Sequence, residues 1–196
     1  MVVRGRPRSF DRQRALVTAM ELFWQKGYTA TSMADLYLAM GINSPSLYAA
    51  FGNKEDLYLE AVAYYEEHIA PLLWSPLDSA PSAREGVRQW LKCSAKVLTR
   101  EDAPLGCMVT LSTVASEGNA RLGQRVMRLR QQGIDKLAAR LEQGVREGEL
   151  PEGIDTSALA RMYVGIQQGL SIQARDGAGF ETLDAVADMA MALWPA

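Results

Sequence analysis

A chain of 196 residues with 48% hydrophobic content is long enough for more than one packed unit, and 21 Lys+Arg against 23 Asp+Glu, net −2, exclude a general polyanion binder. Its two cysteines, Cys93 and Cys107, and single histidine, His68, form no CxxC or Cys/His zinc spacing, so no metal and no cofactor is expected. No apolar run approaches membrane-spanning length and no apolar segment of signal-peptide type opens the chain, so the expected location is the cytoplasm and no membrane partner is expected.

The first residues are basic. Arg4, Arg6, Arg8, Arg12 and Arg14 face only Asp11, and RGRPR holds too little apolar content to fold alone. Asp11 to Lys26 places Leu16, Met20 and Phe23 on one helical stripe with Ala15, Ala19 and Leu22 beside it, and Gly27 closes the helix. Thr31 is the expected N-cap of a second helix carrying Met33, Leu36, Tyr37 and Met40 at i, i+3, i+4, i+7 spacing. Gly41 ends it in a left-handed conformation, and Ile42 folds back onto the apolar face. Ser44 is the expected cap of a third helix, with Pro45 in its first helical position. Leu47 and Phe51 anchor that short helix, leaving Ser46, Tyr48, Ala49 and Ala50 outward. Two helices joined by a glycine turn, with a third helix upstream, make a helix-turn-helix, for which duplex DNA is the first partner to consider. Asn53 caps a longer helix whose first turn holds Lys54, Glu55 and Asp56. The acidic pair suits the helix dipole, whereas Lys54 is explained by an anion at that end, such as a DNA phosphate.

Beyond Leu57 the chain reads as further helices. Tyr58 to Ala70 extends the connecting helix, and PLLWSPLDSAPSA, with Pro71, Pro76 and Pro81, is expected to break it. Arg84 to Leu98 carries Val87, Trp90, Leu91 and Leu98 on one side. Ala103 to Ser116 is nearly uncharged and reads as a helix that is apolar all round and therefore interior. Asn119 to Glu147 has Leu122, Val126, Leu129, Leu137, Leu141 and Val145 inside, with Arg121, Arg125, Arg128 and Arg140 as a solvated face. GELPEG punctuates, and Thr156 to Arg175 and Phe180 to Trp194 complete the chain. Neither strand alternation of useful length nor an internal repeat is present.

The combination of an amphipathic first helix with Phe23 near its end, the KGY turn of Lys26, Gly27 and Tyr28, the Thr31/Ser32 start, Gly41 and then SLYAAFGNKEDL resembles the TetR family of transcriptional regulators. That resemblance implies an all-α fold of about nine helices. Residues 1–57 would be the basic arm and helix-turn-helix DNA-binding domain, and residues 58–196 a helical effector-binding and dimerisation domain. It further implies that Ser32, Tyr48 and Lys54 contact phosphates, with Thr31 at the same helix start among the DNA-facing residues, while Ser44, Pro45, Ser46 and Ala49 face base edges of a double-stranded operator. The chain departs from the family pattern at Ala34, where some members place a base-reading arginine, and at Ala49 and Ala50, where others carry a large aromatic or histidine. Base reading is therefore expected to be sparse, with thymine-methyl contacts and few hydrogen bonds. For the arm two readings stand: Arg4 and Arg6 in or along the minor groove, or a solubilising tail.

In Thr156–Arg175 the residues Ala158, Met162, Ile166 and Gly169 recur at near-helical spacing, as do Leu183, Val186, Ala190, Leu193 and Trp194 in Phe180–Trp194. Paired across a two-fold axis, these helices would form a homodimer bundle, with Gly165 and Gly169 permitting close approach or opening room for a ligand. The family layout places an effector cavity among the C-terminal helices. Candidate lining residues are Trp74, Trp90, Cys93, Cys107, Met108, Leu111, Met127, Tyr163 and Gln167, a mostly apolar and aromatic set suited to a small hydrophobic or aromatic effector. Such a ligand would act by binding the non-DNA-binding conformation better. Cys107, in LGCMV, has two readings: a reactive thiol of an electrophile- or oxidant-sensing repressor, or a small buried apolar residue. An enzyme is not expected, since no GxSxG, Walker or GxGxxG sequence and no carboxylate cluster of metal-ligand spacing is present. An architectural DNA-binding protein without an effector is the remaining alternative.

Overall fold

The computed structural model describes residues 10–195, so the arm residues Arg4 and Arg6 lie outside the described residues. The described residues form ten α-helices and one short 3-10 turn, with no strand among them. Helix α1 spans Arg12–Lys26, its N-terminus capped by Asp11, whose carboxylate accepts the backbone N–H groups of Gln13 and Arg14. Helix α2 (Met33–Met40) ends at Gly41, φ 64 and ψ 30, after which the Ile42 N–H returns to the Tyr37 carbonyl at 3.2 Å and Ile42 is buried. The expected left-handed stop and fold-back are both present. Helix α3 (Ser44–Phe51) buries Leu47 and Phe51. Helix α4 (Lys54–His68) starts from the Asn53 cap and packs along α1.

The proline-rich stretch does not break into a loop. Helix α5 (Ala70–Ser79) runs through it, with Pro71 in the first turn and Pro76 inside. Pro76 lacks the N–H that would bond the Leu72 carbonyl four residues back, and the Cys93 thiol donates to that carbonyl instead, at 3.1 Å. The orphaned acceptor is thereby satisfied from the next helix, α6 (Ala83–Leu98), which packs on α5.

The apolar stretch 103–116 is likewise not the interior helix expected. Only α7 (Met108–Leu111) is helical. Pro104 and Gly106, the latter at φ 77, hold the entry out of helical geometry, and Ser112 leaves it in an extended conformation. The segment nevertheless buries Cys107, Met108 and Val114. Helix α8 (Ala120–Arg146) follows the Asn119 cap, then α9 (Thr156–Arg175), α10 (Phe180–Ala190) and a 3-10 turn, Met191–Leu193. Along α8, Gly123, Gly133 and Gly144 let Ala115, Trp74 and Ala83 approach so closely that a Cβ would stand 2.8–2.9 Å from them. These close contacts and the buried rings of Trp90, Tyr65 and Tyr163 centre the C-terminal core. Among the arginines expected as a solvated face, Arg121 and Arg128 are exposed, but Arg125 pairs with Glu66 and Arg140 is drawn in beside Glu147.

Among the described residues no helix is long and apolar enough to cross a membrane. The exposed stripe of α9 consists of Ala158, Met162, Gly165 and Ile172, with half-buried Gly169 between, and a Cβ at either glycine meets nothing within 4 Å. On α10 the expected stripe faces the other way: Leu183 and Ala190 are buried against the protein's own core, while Phe180, Met189 and Leu193 are exposed. Apolar periodicity marks a buried stripe without saying what buries it.

Candidate nucleic-acid interface and ligand cavity

Helix α3 has eight residues and is too short to be stable alone; three neighbours hold it. Asn43, not Ser44, is its N-cap, and its side-chain oxygen accepts the Ser46 N–H at 2.9 Å. Leu47 and Phe51 seat it on α1, α2 and α4. At its far end Arg12 donates to the Ala50 carbonyl at 3.1 Å, grips Glu60 through both carboxylate oxygens at 2.5 and 2.7 Å, and lies 4.4 Å over the Phe51 ring. Held this way, α3 presents Pro45, Tyr48 and Ala49 exposed, with Ser44 and Ser46 half-buried.

The start of α2 carries a second correction. Thr31 is fully buried, its hydroxyl donating to the Gly27 carbonyl at 2.6 Å, so it is neither the cap nor available to DNA. Ser32 takes the place, in a capping box with Asp35. The Asp35 carboxyl is held at about 2 by the Ser32 backbone N–H and by Lys26, 3.0 Å away. Lys54, at the first position of α4, lies half-buried with its ammonium 4.3 Å over the Tyr28 ring. Burial lowers its pKa, opposed by the charges of Glu117 and Asp35. Sequence reasoning placed Tyr37 on the buried face only. Its ring is half-buried, but the Ser44 hydroxyl donates to its hydroxyl at 3.0 Å, and hydrogen bonding with Tyr37 raises the pKa of the exposed Tyr48 phenol. Three hydroxyls thus meet at the exposed side of the helix-turn-helix, an arrangement that spacing along one helix does not reveal.

The family of bacterial regulatory proteins, tetR family, matches residues 15–61. The HTH-type transcriptional repressor ComR of Escherichia coli K12 is 37% identical over 194 residues, covering 98% of this chain and 92% of that one. The chain belongs to the TetR family. A second repressor of that organism, BdcR, is 32% identical over 191 residues, covering 96% and 91% of the two chains. A cysteine-substituted form of the TetR-family regulator CifR, solved with 26-bp operator DNA, superposes with a TM-score of 0.91 at 39% identity, covering 97% of this chain and all of that one.

In this TetR-family chain a cleft of about 400 Å³ opens between α4, α5, α7, α8 and α9. Of the expected lining residues Trp74, Cys107 and Gln167 form its wall. The others do not: Trp90 is fully buried behind Trp74, stacked at 5.0 Å, and Tyr163 is core. Cys93 is occupied with the Leu72 carbonyl, Met127 is exposed on the outside of α8, and Met108 and Leu111 face a separate, smaller cavity beside Trp24 and Tyr58. Sequence reasoning missed the polar part of the wall, Tyr65, Glu66, Asp78, Arg130, Lys136 and Gln168. Cys107 is buried, accepts the Tyr65 hydroxyl at 3.3 Å, and donates its N–H to the Ser171 hydroxyl at 2.8 Å. Burial and the neighbouring Cys107 push the Tyr65 phenol well above its ordinary pKa, so it stays a proton donor. His68, by contrast, is exposed and stacked on Tyr64 at 3.9 Å.

Two polar ties join the cavity wall to the helix-turn-helix. The Ser112 and Tyr58 hydroxyls meet at 2.9 Å, and Tyr58 packs edge-on against Phe23 and Tyr28. At the end of α9, Arg175 donates to the Leu105 carbonyl at 3.0 Å and to the Trp24 and Gln25 carbonyls of α1 at 2.9 and 3.1 Å.

Proposed function

We propose that this chain is a homodimeric, ligand-responsive transcriptional repressor that binds a palindromic double-stranded DNA operator and leaves it when a small hydrophobic or aromatic effector occupies the α4–α9 cleft. The observation that carries this reading is the clamped α3, with Pro45, Tyr48 and Ala49 open above Leu47 and Phe51. Ser32 and Lys54 flank it as phosphate contacts, Ser44, Pro45, Ser46 and Ala49 meet base edges, and the arm through Arg4 and Arg6 reaches the adjacent minor groove. The operator complexes of CifR and the repressor names of ComR and BdcR support the same reading. The division of labour follows α4: residues 1–57 carry DNA contacts and residues 58–196 carry effector and dimer contacts.

Selection of an operator from random duplexes tests this directly. A discrete palindrome is expected, and the absence of any preference at moderate salt would leave only an architectural DNA binder. On the selected operator, Lys54→Ala should weaken binding uniformly across sequences and reduce the salt slope by about 1, the signature of one lost phosphate contact, read by fluorescence anisotropy at several salt concentrations. Tyr37→Phe should behave differently. It removes the acceptor of the Ser44 hydroxyl, so base preference should relax at the position facing Ser44 by about 1 kcal/mol while the salt slope stays unchanged.

The position of Cys107 on the cleft wall favours a second reading of the release signal. An electrophile entering the cleft would be attacked by the sulfur, forming a carbon–sulfur bond, with Tyr65 placed to return a proton to the electron-rich atom left behind. Cys107→Ser should then keep operator affinity but lose release by an enone such as N-ethylmaleimide. Release at the wild-type concentration would leave non-covalent occupancy as the signal.

A further inference from the structure

The charges around the cleft are paired off with one exception. Glu66 on α4 is matched by Arg125, and Asp78 on α5 by Lys136 at 2.7 Å, the same lysine lying 5.8 Å over the Trp74 ring. Arg130 on α8 has no carboxylate within 4.0 Å among the described residues. Its partners are neutral: Nε donates to the Val109 carbonyl at 3.0 Å, and Nη2 to the Thr110 and Ser112 carbonyls at 2.9 and 2.6 Å. Nη1 makes no hydrogen bond to the described residues and is not sealed from solvent.

A half-buried guanidinium satisfied only by carbonyls leaves a net positive charge on an otherwise balanced wall. Arginine's planar fork matches a carboxylate better than it matches a lone carbonyl or hydroxyl. We infer that the effector is an apolar molecule bearing a single carboxylate, its body against Trp74, Leu73, Leu129 and Val164 and its anionic head on Arg130. This deepens the effector assignment proposed above and rests on the cleft being that site.

The same geometry says how such a ligand would be felt. Nη1 can take one carboxylate oxygen as it stands, but a two-pronged grip needs an Nη2 N–H, which must come from Thr110 or Ser112. Releasing the Ser112 carbonyl frees the end of α7, whose hydroxyl side is tied to Tyr58 in α4. Anion binding at Arg130 therefore loosens the tie between the cleft and the helix-turn-helix.

Octanoate, octan-1-ol and octylamine share one apolar body and differ in head group, so binding of the three to the full chain, followed by tryptophan fluorescence and thermal shift at neutral pH, separates body from head. Octanoate is expected to bind roughly ten- to a hundred-fold more tightly than octan-1-ol, the range for a charged hydrogen bond. Arg130→Gln should erase that difference and Arg130→Lys should keep part of it. Equal or tighter binding of the alcohol or the amine to the wild-type chain would overturn the carboxylate inference and leave the cleft as a binding site. Binding of none of the three would overturn both. The wild-type comparison stands even if the glutamine variant, having lost three carbonyl bonds, does not fold.

Discussion

Gly165→Arg is expected to turn the protein into a stable monomer and to lower operator affinity by roughly a thousand-fold, the gap between specific and non-specific binding of such modules. The argument starts from α9, which buries Leu159, Tyr163, Val164, Leu170 and Ala174 on one side and leaves Ala158, Met162, Gly165 and Ile172 open on the other. A Cβ at Gly165 meets nothing within 4 Å. The substitution therefore has no reason to disturb the protomer, and replacing an exposed helical glycine should slightly favour the helix. Its effect must come from what covers the stripe. In a two-fold dimer the long charged side chain would face its own copy at close range, where like charges and bulk both oppose association. Without the dimer, one α3 has too few base contacts for specificity, whereas two held about 34–36 Å apart reach successive major grooves. Sedimentation velocity gives the oligomeric state, thermal unfolding of the monomer gives the control, and anisotropy gives the affinity. A Gly165→Arg protein that stays dimeric with operator affinity intact would move the dimer face off α9.

The helix-turn-helix was legible because its stops and anchors are local: Gly41, Pro45, Leu47 and Phe51 stand where the sequence reading places them. The caps were read one residue away from their true positions. At both helix starts two adjacent residues can cap, and the choice depends on where the other side chain goes: Thr31 turns inward to Gly27, and Ser44 turns to Tyr37. Composition also misread the prolines of α5, since a helix tolerates Pro76 only because Cys93, 21 residues away in sequence, takes over the orphaned carbonyl. The cleft was the least legible part. Trp74, Cys107 and Gln167 announced themselves by type and location, but Arg130 and Lys136 sit among the arginines and lysines of a long amphipathic helix. Which of those charges turn inward depends on the α4, α5 and α7 surfaces they meet, and no period along α8 encodes that.

Loss of the fold's tightest crossing should be measurable at Gly106. This residue, at φ 77, leads into Cys107 and the cleft wall, and a Cβ built on it would stand 2.6 Å from Leu111 Cδ1 and 2.7 Å from the Ser171 carbonyl oxygen. The leucine tip can rotate aside. The Ser171 carbonyl belongs to the backbone of α9 and cannot, and the Ser171 hydroxyl is held by the Cys107 N–H at 2.8 Å. Gly106→Ala thus adds left-handed strain of about 1–2 kcal/mol to an overpacking cost of about 1–3 kcal/mol. The sum, about 2–5 kcal/mol, is a large share of the roughly 5–15 kcal/mol that keeps a domain folded. Gly118→Ala separates the two contributions, because Gly118 has a similar φ of 83 with nothing within 4 Å of a Cβ. It should lose only the strain. Urea midpoints at constant m-value are expected to fall far more for Gly106→Ala than for Gly118→Ala. Equal losses would mean that the loop moves away from α9 at no cost, and the Leu105–Cys107 crossing could then not couple the cleft to Arg175 and the end of α1.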